Sequence, residues 1–553
     1  MKKIVIVGGV AGGAGTAARM RRLEEDAQII LLEKGDYISF ANCGLPYYIG
    51  DEIEDRDDLL VMTVAGMKER FDIDIRVKHE VFLIDRQKKT VSVKNLIDQT
   101  TYDEAYDILV LSPGSTPFIP DIPGIVDKAV FTLWNMFDTD RLKGYVLENK
   151  PQKAVVVGGG FIGLEMVENL RALGIDVTLV EMLDQVMPNI DFEMAQIVHM
   201  SLKKHDVHLK LGRRLKNLAR TDGQLAATLD DGERVETDMV ILAVGVRPQS
   251  DLAKQAGLDC GEKGGIVVDK FLRTSDDNIY ALGDAVEVRH LISGKPAMIP
   301  LAGPANKQAR ICADNIHGDN IAYRGSLGSS VAKVFELTVA SVGLNERQLQ
   351  ELGWKEGEEY FVAKTHAWSH ATYYPGATQM ALKVFYGPDG MILGASAVGK
   401  DGVDKRTDVI ATVMYFGGTI YDLGRLQLCY APPYSSAKDP VNMIGFMAEN
   451  NLSGKCRFIS WDKIDGLDPE KYTVLDVRED SEVARGMIEG AVHIPLGQLR
   501  KRIAELDRDK TIVVCCAIGL RAYVACRILI GHGFDAIDLS GGYTTYSMAH
   551  KEV

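Results

Sequence analysis

The 553-residue chain carries no disulfide framework. Its eight cysteines are mostly isolated, and so sparse a pattern excludes the stapled extracellular scaffolds. No apolar run is long enough to span a bilayer, and Met1-Lys2-Lys3 leads into an apolar strand without a signal-peptide pattern. The expected location is therefore the cytoplasm, away from membranes. Positive charge is in deficit. A formal net charge of −14 argues against a nucleic-acid partner and leaves only local clusters, such as Arg19, Arg21 and Arg22, to bind an anion. His79, Cys260, Cys312 and Cys429 have no partners at metal-ligand spacing, so no metal centre is expected. The length exceeds what one core organises, and three or four domains are expected.

Glycine, in contrast, is plentiful at 54 residues, as turn-rich nucleotide-binding folds require. The apolar run 4–8 reads as a buried parallel strand. Gly8-Gly9-Val10-Ala11-Gly12-Gly13 is its turn, a helix follows over 14–24, and a second strand, 29–33, ends in Glu33, 20 residues past Gly13. A carboxylate at that distance receives ribose hydroxyls. Val10 stands where G-x-G-x-x-G has its middle glycine. The pattern recurs in full: strand 154–157, Gly158-Gly159-Gly160-Phe161-Ile162-Gly163, helix 164–173, and strand 177–181 ending in Glu181, 18 residues past Gly163. Two such units indicate two dinucleotide sites. Glu181 accepts bonds from a free 2′-hydroxyl and repels a 2′-phosphate, and no arginine follows in Met182-Leu183-Asp184, so NADH is favoured over NADPH.

A third segment, Thr274 to Asp284, reads as a strand ending in Gly283-Asp284. With it the chain resembles the two-dinucleotide flavoprotein disulfide reductases, in which this segment returns to the FAD domain. The resemblance implies FAD contacts at Gly8, Ala11, Gly12, Gly13, Glu33, Lys34, Gly283, Asp284 and Leu301, and NADH contacts at Gly158, Gly160, Gly163 and Glu181.

Two cysteines occupy special loops. Ser39-Phe40-Ala41-Asn42-Cys43-Gly44-Leu45-Pro46 looks like a helix start, and a helix N-terminus lowers a thiol pKa. Most of the family carries C-x4-C here, but the residues five away on either side are Ile38 and Tyr48. The motif instead resembles the single-cysteine branch, which includes NADH oxidases and peroxidases and the coenzyme A-disulfide reductases. His370 to Gly376 and Tyr430 to Asp439 resemble the dimer domain of the latter. That implies a homodimer in which Tyr373 and Tyr430 reach Cys43 of the partner subunit, with Arg19, Arg22, Ser39 and Asn42 contacting coenzyme A. Tyrosine hydroxyls suit protonation of a leaving thiolate.

The second loop, Cys516-Ala517-Ile518-Gly519-Leu520-Arg521, lies between an apolar strand at 511–515 and a helix at 522–530. A strand–loop–helix with cysteine at the loop start aims backbone amides at the sulfur and stabilises a thiolate or persulfide. This stretch resembles a single-domain rhodanese, as do Asp476-Val477-Arg478 and Gly490-Ala491-x-His493-Ile494-Pro495. The loop is C-x4-R, and its tight closure suits a sulfur atom. Cys515, a strand residue, is expected to pack away from the loop.

The expected architecture is α/β. Two Rossmann-like domains bind FAD (1–112 and 265–325) and NADH (113–264). An α+β dimerisation domain (326–447) and a polar linker (448–454) precede a rhodanese domain (455–553). The expected activity is NADH- and FAD-dependent reduction of coenzyme A persulfide, polysulfide or coenzyme A disulfide. It would proceed through a Cys43 mixed disulfide with coenzyme A, while Cys516 and Arg521 handle sulfane sulfur. The alternatives are an NADH oxidase or peroxidase using a Cys43 sulfenic acid, and a redox-sensing binding protein.

Overall fold

The first apolar run forms the centre of a sheet. Lys3–Val7 lies between Gln28–Glu33 and Ile108–Leu111, with Asp74–Val77 and Ile279–Ala281 at the edges, all parallel. Side chains alternate across such a strand, and both faces are covered. Ile4 and Ile6 pack with Ala14, Ala17 and Met20 of the helix Ala11–Leu23 and with Ala309 and Ala313 of the helix Ala302–His317. Val5 packs with Ile84, Val91 and Val93 of a small antiparallel sheet on the other side. Cys312 lies inside the first of these clusters, where burial pushes its thiol up, as suits a core residue.

The computed structural model describes residues 2–551 of the chain. These fall into two units, Met1–Asp184 with Asp206–Gly328, and Gln185–His205 with Ser329–Val553. The first holds a second all-parallel five-stranded sheet, built on Lys153–Val157 between Asp176–Glu181 and Met239–Leu242. The two nucleotide sheets share one register. Val7 pairs with Leu32 and Val157 with Val180, so each glycine turn emerges beside the acid that ends the next strand.

The second unit contains an antiparallel sheet in the order Ser330–Val334, Leu337–Gly343, Ile392–Gly399, Gln379–Tyr386, Phe361–Trp368. It also contains a parallel sheet of five strands centred on Thr511–Cys515. Two expectations on domain limits change. Residues 185–205, read as part of the NADH domain, group with the second unit, because Asp191 and Glu193 form buried ion pairs with Lys383 of the antiparallel sheet. Most of the expected linker 448–454 is the last turn of a helix, Pro440–Leu452. Its Ala448 is fully buried, so the apolar face continues through the polar composition, and only Ser453 and Gly454 form the turn. No helix among the described residues is long and apolar enough to cross a membrane.

Candidate functional site

Each glycine turn is closed by a contact that only glycine permits. Gly8 has φ +96°, and a Cβ there would lie 2.1 Å from the Ser112 carbonyl oxygen; a Cβ on Gly13 would lie 1.7 Å from that of Gly8. Gly158 and Gly163 repeat the arrangement, with 2.3 Å to the Ala243 oxygen and 1.9 Å to the Gly158 oxygen. A Cβ on Gly160 would meet open space, so that backbone is open to an approaching phosphate. The two acids are held alike. Glu33 accepts from the amides of Gly9 (2.7 Å) and Gly35 (2.6 Å), and Glu181 from those of Gly159 (2.7 Å) and Leu183 (2.8 Å). A carboxylate has about four acceptor sites, so each retains capacity for ribose hydroxyls. Ala11 opens the first helix. Asp284 lies in the turn Gly283–Ala285, takes a bond from the Ser115 hydroxyl at 3.2 Å, and is pushed up by burial. The Gly283 amide donates to Gln308 at 2.7 Å. Leu301 caps the helix Ala302–His317, and exposed Lys34 pairs with Glu80.

Cys43 sits in the turn Asn42–Gly44, open to solvent. The segment that leads into it is tied to the first glycine loop by the Ser39 amide, which donates to the Gly9 oxygen at 2.9 Å. The expected helix start exists, but Leu45–Ile49 is only five residues long. The thiol is raised, not lowered: desolvation leads, followed by the carboxylates of Glu165 and Asp284. Glu165 escaped the sequence reading, although it lies two residues past Gly163, inside the second motif. It stands on the helix Phe161–Ala172, lies 3.5 Å from the Tyr47 hydroxyl, and is pushed by burial to about 7. The basic cluster divides. Arg19 pairs with Asp314 at 2.7 Å, Arg21 donates to the carbonyls of Phe71 and Asp72, and Arg22 is exposed. Arg22 and Asn42 therefore face solvent, while Arg19 is already engaged.

In the second unit, two turns present tyrosines. Tyr373 and Tyr430 are 74% and 48% exposed, yet their hydroxyls meet at 2.7 Å. Tyr374 instead sets its ring edge-on to His370. Both turns rest on Arg406, which no motif or spacing marks out. Its buried guanidinium donates to the Ser369 oxygen at 2.8 Å and to Asp439 at 2.9 Å, and reaches the Ser435 hydroxyl at 3.3 Å.

Cys516 opens its loop at the end of the strand Thr511–Cys515, with only 1% of its surface exposed. The Gly519 amide donates to its sulfur at 3.1 Å, and the backbone of Ile518 and Ala522 also favours the thiolate. Burial and then Asp538 outweigh these amides, so the thiol is raised. Arg521 makes a two-pronged pair with Glu482, both contacts 2.6 Å, and adds favourable charge for a Cys516 thiolate. Cys515 faces the opposite side of the sheet, packed with Val513 and Leu539. Asp476 holds Arg478, whose guanidinium lies over the Tyr543 ring, and His493 bonds to the Arg478 oxygen at 2.8 Å. Among the described residues, no cluster of His, Cys, Asp and Glu could hold a metal ion.

Comparison with known proteins divides the chain into three stretches and keeps 185–205 with the first. Residues 2–308 match the pyridine nucleotide-disulphide oxidoreductase family, 329–440 its dimerisation domain, and 462–549 the rhodanese-like domain. The chain is 37% identical to the coenzyme A disulfide reductase of Staphylococcus haemolyticus, over 81% of this chain and all of that protein. The crystal structure of reduced CoADR-RHD from Bacillus anthracis superposes with a TM-score of 0.97 at 51% identity, covering 99% of this chain and 98% of that one. A NAD-dependent persulfide reductase from A. fulgidus gives 0.91 at 38% identity, covering 98% and 100%.

Proposed function

The chain belongs to the pyridine nucleotide-disulphide oxidoreductase family and is a flavin-dependent oxidoreductase with a rhodanese-like domain, and we propose that it uses NADH to reduce coenzyme A persulfide, polysulfide or coenzyme A disulfide. The glycine cradles fit the two dinucleotides, because a side chain at Gly8, Gly13, Gly158 or Gly163 would collide with backbone. Gly8, Ala11, Gly12, Gly13, Glu33, Lys34, Gly283, Asp284 and Leu301 would hold FAD, and Gly158, Gly160, Gly163 and Glu181 would hold NADH. When bound, this pair of cofactors supplies two electrons to a sulfur.

The observation that carries the proposal is a solitary thiol held close to the first nucleotide turn, on which a carboxylate from the second motif acts through its charge. With no second cysteine at disulfide spacing, the oxidised partner of Cys43 comes from the substrate. The Cys43 thiolate attacks the coenzyme A-bearing sulfur of the persulfide. An S–S bond forms to coenzyme A, the sulfane S–S bond breaks, and hydrosulfide leaves with the electron pair. Two electrons and one proton then release coenzyme A thiol and restore the Cys43 thiolate. Glu165, at about 7, would exchange that proton near neutrality. Tyr373 and Tyr430 of one subunit would stand at Cys43 of the partner subunit and donate to a departing thiolate. Ser39, Asn42, Arg19 and Arg22 would contact coenzyme A. Cys516 would take sulfane sulfur from a donor as a persulfide, held by the loop amides and Arg521, and pass it to coenzyme A thiol.

Anaerobic NADH consumption with coenzyme A persulfide, polysulfide, coenzyme A disulfide and hydrogen peroxide, with sulfide followed in parallel, tests the proposal. Turnover with the sulfur substrates and matching sulfide is expected from the persulfides, and Cys43→Ser should abolish it. Cys516→Ala should spare coenzyme A disulfide reduction and remove thiosulfate sulfurtransfer. Turnover with peroxide alone would replace this reading with sulfenic acid chemistry at Cys43.

A further inference from the structure

The Cys516 loop is held from behind by the first turn of the helix Gly542–Ala549. The carbonyl of Cys516 accepts from the Tyr543 amide at 2.7 Å and that of Ala517 from the Thr544 amide at 3.0 Å. With those carbonyls drawn back, the loop's own amides are left to face the sulfur. The turn reaches the loop because Gly541 and Gly542 are left-handed, at φ +78° and +61°. A Cβ on Gly542 would lie 2.4 Å from the Cys516 oxygen.

That turn is in turn fixed to the antiparallel sheet. Lys364 and His366 are two apart on the strand Phe361–Trp368, so they share a face, and both are buried. The Lys364 amide donates to the Ser540 hydroxyl at 3.1 Å. His366 Nε2 lies 2.8 Å from Thr545 Oγ1, which donates its single hydrogen to the Gly541 oxygen at 3.2 Å. With that hydrogen directed to Gly541, the Nε2–H tautomer of His366 is the one that donates to Thr545. Burial and the Lys364 cation, opposed by Glu193, hold the imidazole at about 4 and hence neutral. A packing contact needs no imidazole here. The buried ring spends its one N–H on the residue that anchors the turn.

We propose that His366 is a positioning residue for Cys516, acting through Thr545 to hold the turn that aims the loop amides at the sulfur. The proposal rests on the reading of Cys516 as the carrier of sulfane sulfur.

The test uses the full-length holoenzyme with His366→Leu, His366→Gln, Thr545→Val and the Leu/Val double variant. Three quantities are measured: thiosulfate-to-cyanide sulfurtransfer, the pH profile of Cys516 alkylation by mass spectrometry, and NADH-dependent reduction of coenzyme A disulfide as a control for folding. Loss of one aiming hydrogen bond should lower kcat for sulfurtransfer about tenfold with little change in KM. It should also move the alkylation midpoint to higher pH. Gln, which retains a donor, should recover most of both, and the double variant should be no worse than either single. A folded His366→Leu enzyme with unaltered kcat and alkylation profile would overturn the proposal. So would additive effects of the two substitutions, or Gln performing as poorly as Leu. Should His366→Leu fail to fold, Thr545→Val decides the question by the same two readouts. If Cys516→Ala retains sulfurtransfer, the functional reading of Cys516 fails, while the alkylation profile still reports whether His366 positions that thiol.

Discussion

The hydroxyls of Tyr373 and Tyr430 are 2.7 Å apart, bonded to each other across 57 residues of chain while both rings remain open to solvent. Paired hydroxyls polarise each other, and the shared bond raises Tyr373. Acting as one donor unit, they should not contribute independently. Tyr373→Phe and Tyr430→Phe should each lower kcat/KM for coenzyme A disulfide by roughly ten- to a hundredfold, within the range of general acid catalysis. The double variant should be little worse than the more damaged single. Steady-state kinetics on the four enzymes checks this.

Glu165 is expected to govern Cys43 through charge. Above about pH 7 it is ionised and opposes a neighbouring thiolate; below that pH it is neutral and the opposition vanishes. Glu165→Gln should therefore speed alkylation of Cys43 at pH 8 and leave the rate at pH 5.5 close to that of the unaltered enzyme. An inflection near pH 7 in coenzyme A disulfide turnover should disappear with it.

Glu181 should set the choice of nicotinamide. Glu181→Ala removes the acceptor for a 2′-hydroxyl and the charge that repels a 2′-phosphate. It also frees the amides of Gly159 and Leu183. KM for NADH should rise about tenfold, the scale of one charged hydrogen bond, and the preference over NADPH should narrow. Initial rates with both nucleotides measure the two effects.

Arg406 should matter more to stability than to binding. Its guanidinium and Asp439 are each about 2% exposed, so Arg406→Met strands a carboxylate in the core. Removing one partner of a buried pair costs about 3–5 kcal/mol. Chemical denaturation should reveal that loss, and sulfide release should fall as the two tyrosine turns lose their common support.

The nucleotide turns were legible because their constraint is local. Gly8 meets Gly13, and Gly158 meets Gly163, within six residues, and the sheet register places each acid beside its own turn. The strand 511–515 and the packing of Cys515 away from the loop were legible for a similar reason, since alternation alone decides the face. Arg406, Glu165 and His366 were not. Each is a polar group whose importance comes from partners distant in sequence, and burial of that kind leaves no period in the chain. The expected low thiol at Cys43 failed through magnitude: a five-residue helix and its amides are outweighed by desolvation and two carboxylates. The helix Phe192–Lys204 has the same pattern whichever unit it packs in, so its assignment had to come from Lys364 and Lys383.

That last helix has a consequence for how the protein is made and how it can be cut. Lys364 and Lys383 are buried in the antiparallel sheet, and Asp191 and Glu193, which neutralise them, are translated more than 170 residues earlier. The acids must wait for their lysines during synthesis. A fragment begun at Ser329 would never receive them: Lys383 would keep Glu346, while Lys364 would lose Glu193. The C-terminal half is therefore not a portable module. Any recombination that exchanges it must carry a short stretch of the nucleotide-binding half along.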